Sequence, residues 1–198
     1  MKRQCVSSLA LIALCAAGIV VAAPESKTQR RAQPTLVVLD VEISGDLGGP
    51  ELAAQHQARL GLASTRLRQS LSSAGLYRLV DTAPAEDVIA ELKSRHRYLH
   101  DCNGCDLEVG RLLGADQVLV AWVNRVSALI LTLTYEIHDV ATAQITARKS
   151  FGFRGDNDAA WTRAIDYMVR DLKESATSQG SENAAADAAT VVHPPSSP

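Results

Sequence analysis

A short, nearly continuous apolar run at residues 36–43 constrains the fold more than any other segment of the chain. It reads LVVLDVEI and is followed by SGDLGGP, a composition typical of a loop. Apolar residues at nearly every position predict a strand that is buried on both faces of a sheet. The folded domain is therefore predicted to begin with a buried strand.

The segment after this loop has the spacing of an amphipathic helix. Between residues 51 and 74 apolar side chains recur at intervals of three and four, with Gly61 as the one strong interruption, and Gly75 is predicted to end the helix. A short second strand follows at residues 77–81. The helix positions predicted to be buried are Leu60, Ala63, Leu67 and Leu71.

The second half of the chain contains two more helices, then strands, then a last helix. The helices are predicted from Pro84 to His100 and from Asp106 to Leu113. Residues 118–126, 128–139 and 145–153 are rich in strand-forming residues, and the middle run alternates apolar and polar side chains as a half-buried antiparallel strand does. Residues 156–158 can cap a final helix. Its predicted buried stripe is Trp161, Ile165, Met168 or Val169, and Leu172.

The resulting order, β-α-β-α-α-β-β-β-α, predicts an α/β fold on the border of α+β. Early alternation of strands and helices followed by a run of strands indicates one mixed sheet of about five strands with helices packed against it. We expect a single domain of two or three layers over residues 34–174.

Both ends of the chain differ in composition from this domain. Residues 1–22 have a basic start, an uncharged apolar run and small residues at the end, the signature of a cleaved signal peptide, and residues 23–33 form a linker. Cys15 follows Leu14 inside the apolar run, so no lipid anchor is predicted. Residues 175–198 are polar and small, which predicts a disordered tail. We expect an exported, periplasmic protein with no membrane span after cleavage.

Charge argues against one class of partner. Removing Lys2 and Arg3 with the signal peptide leaves 18 basic against 22 acidic residues, and the basic residues do not cluster. Nucleic-acid binding needs a basic stripe or patch, so it is not expected.

The element order and several phrases resemble a known group of envelope proteins. LVVLDVEISGD, GLYRLVD and GRLLGADQVLVAWV, in this order over residues 35–173, resemble the α/β domain at the N-terminus of TolB. They are similar also to the curli-secretion lipoprotein CsgG and to the penicillin-binding-protein activator lipoproteins. The segment RHRYLHDCNGCDLEVGRLLGAD resembles a family of secreted bacterial proteins classed as a domain of unknown function. The resemblance implies envelope assembly or binding of an envelope protein partner, without enzymatic chemistry.

The mature chain contains two cysteines, Cys102 and Cys105, in a CxxC motif. An even number of cysteines in an exported protein favours a disulfide, and Asn103-Gly104 suits the tight turn between them. The bond is predicted to pin the helix that starts at Asp106 to the end of the preceding helix. The surface around the motif, with His100, Asp101, Asn103 and Gly104, is the candidate binding site.

Two other functions for this motif remain open. In a thiol–disulfide oxidoreductase, Cys102 would attack and Cys105 would resolve, although the motif follows a predicted helix rather than a strand and flanking acidic residues disfavour the thiolate. In a metal site, His96 and His100 on one helix face would join the two cysteines as ligands, although an oxidising compartment disfavours free thiols.

No sequence signature of catalysis or cofactor binding is found elsewhere. A c-type haem is excluded because Asp106 stands where the CxxCH motif needs a histidine. The chain has no GxSxG, HExxH or phosphate-binding glycine loop. The sequence therefore predicts a non-enzymatic protein without a cofactor.

Overall fold

A computed structural model of the protein describes residues 33–190, with the side chains of residues 33–178. The strands are β1 Thr35–Val38, β2 Glu42–Gly45, β3 Arg78–Val80, β4 Gln117–Arg125, β5 Ile130–Asp139 and β6 Ile145–Arg154. They form one mixed sheet in the order β3-β1-β4-β5-β6, and β2 pairs with β4 beyond the end of β1. The β1, β2 and β3 strands run parallel to their partners, whereas β4, β5 and β6 form an antiparallel meander.

The strand predicted at residues 36–43 is divided into β1 and β2. Val38 pairs with Leu119, and Glu42 pairs with Trp122. Between these two pairs, residues 39–41 stand opposite residues 120–121 of β4, so the first strand has one extra residue. This is a bulge, which bends a strand and leaves a backbone group without a ladder partner. The freed amide of Val41 donates to the hydroxyl of Ser64 at 2.9 Å instead.

Helices cover both faces of the sheet, which confirms the predicted α/β architecture in its three-layer form. The helices are α1 Ala53–Ala74, α2 Glu86–Arg95, α3 Cys105–Leu112 and α4 Asp158–Thr190. Buried residues of α1 and α4 form one hydrophobic cluster with the sheet, and residues of α2 and α3 form a second cluster on the other face. This double cover explains why the first strand is apolar at nearly every position.

The helix periodicities identify most of the core, although Leu60, predicted to be buried, is only partly buried. In α1, Ala63, Leu67 and Leu71 are fully buried, and Gly75 ends the helix in the left-handed conformation at φ 68°. In α4 the whole predicted stripe is buried, and Asn157 caps the helix by accepting a 3.0 Å hydrogen bond from the amide of Ala160. Local spacing is sufficient for these positions because each stripe faces a single apolar layer.

A buried ion cluster ties α1, β4 and α4 together. The carboxylate of Asp156 accepts hydrogen bonds from Arg59 at 2.6 Å, from Arg125 at 2.8 Å and from the indole of Trp161 at 3.1 Å. His56 lies 3.4 Å from the same group. One carboxylate therefore serves donors from three elements.

Two predicted boundaries differ from the structure. The α2 helix, predicted to reach His100, ends at Arg95, and α4 continues to Thr190 through the first part of the predicted disordered tail. Residues 175–190 are rich in alanine, which has the highest helix propensity, so they extend an existing helix. The predicted signal peptide, residues 23–32 of the linker and residues 191–198 lie outside the described residues. Within the described part, no helix has the length and apolarity of a membrane span.

Candidate functional site

The segment HDCNGC, residues 100–105, connects α2 to α3 and is called the HDCNGC loop below. A disulfide joins Cys102 and Cys105, whose Cα atoms are 5.6 Å apart. Cys105 is the buried first residue of α3, and Gly104 before it adopts φ 91°, a conformation that glycine tolerates. Since α2 ends at Arg95, the bond does not pin two helices together as predicted. It closes the loop onto the first turn of α3.

The sheet holds the other end of the loop through Glu42. The Glu42 carboxylate accepts hydrogen bonds from the amides of Leu99 at 2.8 Å and His100 at 3.0 Å, and from Nδ1 of His100 at 2.6 Å. Burial alone would raise the pKa of Glu42, but these three hydrogen bonds outweigh it and hold the pKa below its usual value. An ionised carboxylate only accepts, so Nδ1 of His100 carries the proton.

An aromatic contact fixes the His100 ring as well. The imidazole stacks on the indole of Trp122 with 4.4 Å between ring centroids and 7° between planes. Trp122 belongs to β4 on the α2–α3 side of the sheet. The loop is thus anchored at its start by Glu42 and Trp122 and at its end by the disulfide.

A cleft of about 340 Å³ lies between the HDCNGC loop and the β5–β6 turn. The loop lines one wall, and Ala143 of the turn and Ile145, the first residue of β6, contribute to the lining from the other side. Ala143 has φ 58°, a left-handed conformation that costs a non-glycine residue about 1 kcal/mol. Ile145 is about half exposed. The cleft therefore combines a fixed loop with an apolar residue open to solvent.

A chain of polar side chains crosses the sheet from the cleft. Nδ1 of His138 bonds to the buried carboxylate of Asp106, and its Nε2 bonds to Glu136 at 2.9 Å. Glu136 in turn pairs with Arg148 at 3.1 Å. Carboxylates engage both ring nitrogens of His138. This arrangement holds α3 against β5 and leaves no ring nitrogen of His138 for chemistry on a bound molecule.

The predicted site residues fall into two groups. Asp101 and Asn103 are exposed at the tip of the HDCNGC loop, while His100, Cys102 and Gly104 are half-buried in it. All five residues line the cleft.

Three of the four predicted metal ligands lie close together. Ligand atoms of His96, Cys102 and Cys105 lie within 4.8 Å of one another. His100 is not among them because Glu42 holds its ring. The prediction that His96 and His100 share a helix face is wrong, because α2 ends at Arg95. His96 has an extended backbone, with φ −121° and ψ 132°.

Glu42, Asp106, Glu136 and His138 were not predicted as site residues. Glu136 and His138 are two apart on β5, which places them on one face of the strand and was the only local signal available. Their contacts depend on how α3 and the loop pack on the sheet. Nothing in the spacing of Glu42 points to residues 99 and 100.

Several solved structures are similar to this chain in fold. The C-terminal domain of LpoB from Escherichia coli is 20% identical, with 61% of this chain and 82% of that chain covered and a TM-score of 0.41. Lipoprotein GNA1162 from Neisseria meningitidis is 16% identical, with 71% of this chain and 99% of that chain covered and a TM-score of 0.44. TolB from Acinetobacter baumannii is 10% identical, with 69% of this chain and 28% of that chain covered and a TM-score of 0.39.

The sequence comparisons identify the family. No curated protein matches the chain. A family model does match, over residues 34–172, and these residues include every strand and the HDCNGC loop. The chain therefore belongs to the family DUF3280, whose description is "Protein of unknown function (DUF2380)".

Proposed function

We propose that this protein is an exported, non-enzymatic accessory protein that binds a protein partner of the cell envelope through the HDCNGC loop. The observation that carries the proposal is the anchoring of this loop. It is fixed by the Glu42 carboxylate, the Trp122 ring and the disulfide, while Asp101 and Asn103 at its tip are exposed. A loop that is rigid before binding loses less conformational entropy when a partner docks.

The charges around the loop support binding rather than catalysis. General acid–base catalysis needs a titratable group that can reach the substrate. The carboxylates of Glu42 and Asp106 and both nitrogens of His138 are engaged in internal hydrogen bonds. What the loop offers a partner is the Asp101 carboxylate, the Asn103 amide and the neighbouring apolar surface of Ile145.

Site-specific photo-crosslinking in cells tests the docking surface. A photoreactive amino acid in place of Asn103 or Asp101 should give the same partner adduct, and the double variant Cys102→Ala, Cys105→Ala should weaken it. The matched control is Gln55, which is exposed on α1 and thus on the opposite face of the sheet. Equal adducts from Gln55 and Asn103, or none from either loop position, would contradict the proposal.

Export is tested on the purified periplasmic fraction. We expect the mature protein there to have lost residues 1–22 and to begin at Ala23, which intact mass measurement detects. Full-length protein confined to the cytoplasm would refute export without bearing on the docking surface.

A redox titration separates this function from that of an oxidoreductase. If the disulfide is structural, alkylation of Cys102 and Cys105 should require potentials below about −300 mV. A midpoint between about −120 and −270 mV, where thiol–disulfide oxidoreductases lie, would favour a redox role instead.

A further inference from the structure

We infer that His96, Cys102 and Cys105 form a zinc site when the disulfide is reduced. The basis is their placement around one point: the imidazole and both sulfur atoms lie within 4.8 Å of one another. Ligand atoms on a tetrahedral zinc are roughly 3.5–3.8 Å apart, given bonds of about 2.3 Å to sulfur and about 2.0 Å to nitrogen. Opening the disulfide allows the two sulfur atoms to separate to that spacing, and the imidazole already lies within 4.8 Å of both.

The state of the His96 ring supports this assignment. Each of His56, His100 and His138 bonds a carboxylate through its ring. In the described part of the chain, His96 is the one histidine whose ring has no hydrogen bond, ion pair or ring contact. Its ring is exposed beside the two cysteines, so a nitrogen lone pair is free to bind a metal ion.

The charge of the site favours a divalent ion, and two thiolates with one imidazole are a ligand set that Zn²⁺ takes. Two thiolates and one neutral imidazole carry −2, which a divalent ion neutralises beside the buried Cys105. A monovalent ion would leave a net negative charge next to the Asp101 and Asp106 carboxylates. Three protein ligands leave the fourth tetrahedral position for water.

Reduction and metal binding are separate, balanced steps. A dithiol reductant opens the Cys102–Cys105 bond by exchange. The protein disulfide gains two electrons and two protons and becomes two thiols, while the two sulfurs of the reductant form a disulfide. Zinc then replaces the two thiol protons, which are released to solvent. The disulfide and the zinc site are alternative closures of the same loop, so the site exists only in the reduced protein.

Zinc titration of the full mature chain tests the inference. We expect the reduced, metal-free protein to bind one Zn²⁺ per chain and the disulfide form to bind none, with binding measured by competition against a chromophoric chelator. His96→Ala should weaken binding at least about tenfold. Asp87→Asn, which removes an exposed charge of α2 but no ligand, should leave the affinity within about twofold.

Two further measurements complete the test. Bound zinc should protect both cysteines of the reduced protein from alkylation, and Co²⁺ in its place should give a thiolate charge-transfer absorption that His96→Ala alters. Equal affinity of the wild type and His96→Ala would overturn the inference, because the CxxC motif would then bind zinc without the histidine. A reduced protein that is folded by circular dichroism yet binds no zinc would overturn it, as would a reduced protein that has lost its fold.

Discussion

Glu42 and His100 are separated by 58 residues, yet the Glu42 carboxylate accepts a 2.6 Å hydrogen bond from Nδ1 of His100. The amides of Leu99 and His100 donate to the same group. This carboxylate lies on β2, just after the bulge that divides the first strand. The bulge and the HDCNGC loop are therefore connected, because the strand presents the acceptor that fixes the loop.

Replacing this carboxylate should lower stability, most of all at neutral pH. In Glu42→Gln we expect a loss of about 2 kcal/mol in the free energy of unfolding, because an amide accepts weaker hydrogen bonds than a carboxylate does. The control is Glu51→Gln, a change at an exposed position. Urea denaturation at pH 7 measures both variants, and equal losses would contradict the role given to Glu42.

The free energy of unfolding of Glu42→Gln should depend less on pH in the acid range than that of the wild type. The pKa of Glu42 in the folded protein lies below its usual value of 4.5. Its contribution is therefore complete above about pH 4.5 and is lost as the pH falls through the folded-state pKa. Wild type and Glu42→Gln should converge in stability as the pH is lowered from about 7 to about 3. A constant difference across this range would show that Glu42 does not act through its charge.

Removing the disulfide should cost less than breaking a long-range bond would. Cys102 and Cys105 close a loop of four residues, for which chain entropy gives about 2 kcal/mol. We expect this loss in the double variant Cys102→Ala, Cys105→Ala, measured by urea denaturation, with the reduced wild type as the matched comparison. An unchanged free energy of unfolding would mean that the disulfide does not stabilise the loop.

The elements that the sequence predicts well are those whose causes are local. The stripe from Trp161 to Leu172 follows from spacing alone, since it has one apolar side. The alternation along β5 predicts an antiparallel strand correctly but a half-buried one wrongly, because Thr134 and Glu136 on its polar face are buried as well. The predicted continuation of α2 to His100 fails for a non-local reason. The amides of Leu99 and His100 bond to Glu42, so they cannot donate to carbonyls of a continuing helix.

The candidate site was predictable in its centre and unpredictable in its surroundings. The CxxC motif predicts the disulfide because the two cysteines are three residues apart in the sequence. The supports of the loop come from β2 and β4, and those of His138 from α3 and β5. Such pairs are set by strand register and helix docking, which leave no periodic signal in a single sequence.

Asp156 should be the most important carboxylate for stability. It accepts hydrogen bonds from Arg59, Arg125 and the Trp161 indole in a buried setting. In Asp156→Asn, two buried guanidinium groups lose their shared counter-charge, and we expect a loss of about 3–5 kcal/mol.

The comparison for Asp156 is Asp166→Asn. Asp166 makes a two-point salt bridge with Arg66 in which both side chains are more than a third exposed. Surface pairs of this kind contribute little to stability because water screens them. Urea denaturation of both variants in the same buffer measures the difference. Similar losses at the two positions would mean that the buried cluster is not a main source of stability.

Two glycines in helices should respond to alanine in opposite directions. A Cβ on Gly110 of α3 would lie 2.5 Å from a methyl group of Val118 and 2.7 Å from one of Val140, whereas a Cβ on Gly61 of α1 would meet nothing within 4 Å. Gly110→Ala should therefore push α3 away from the sheet and lower the free energy of unfolding by about 1–3 kcal/mol. Gly61→Ala should raise it by about 0.5–1 kcal/mol, because alanine is the better helix former. Thermal and urea denaturation of both variants measure the effect. Stabilisation by Gly110→Ala would show that α3 does not pack on the sheet as closely as described. The same would then hold for the first turn of α3, which contains Cys105.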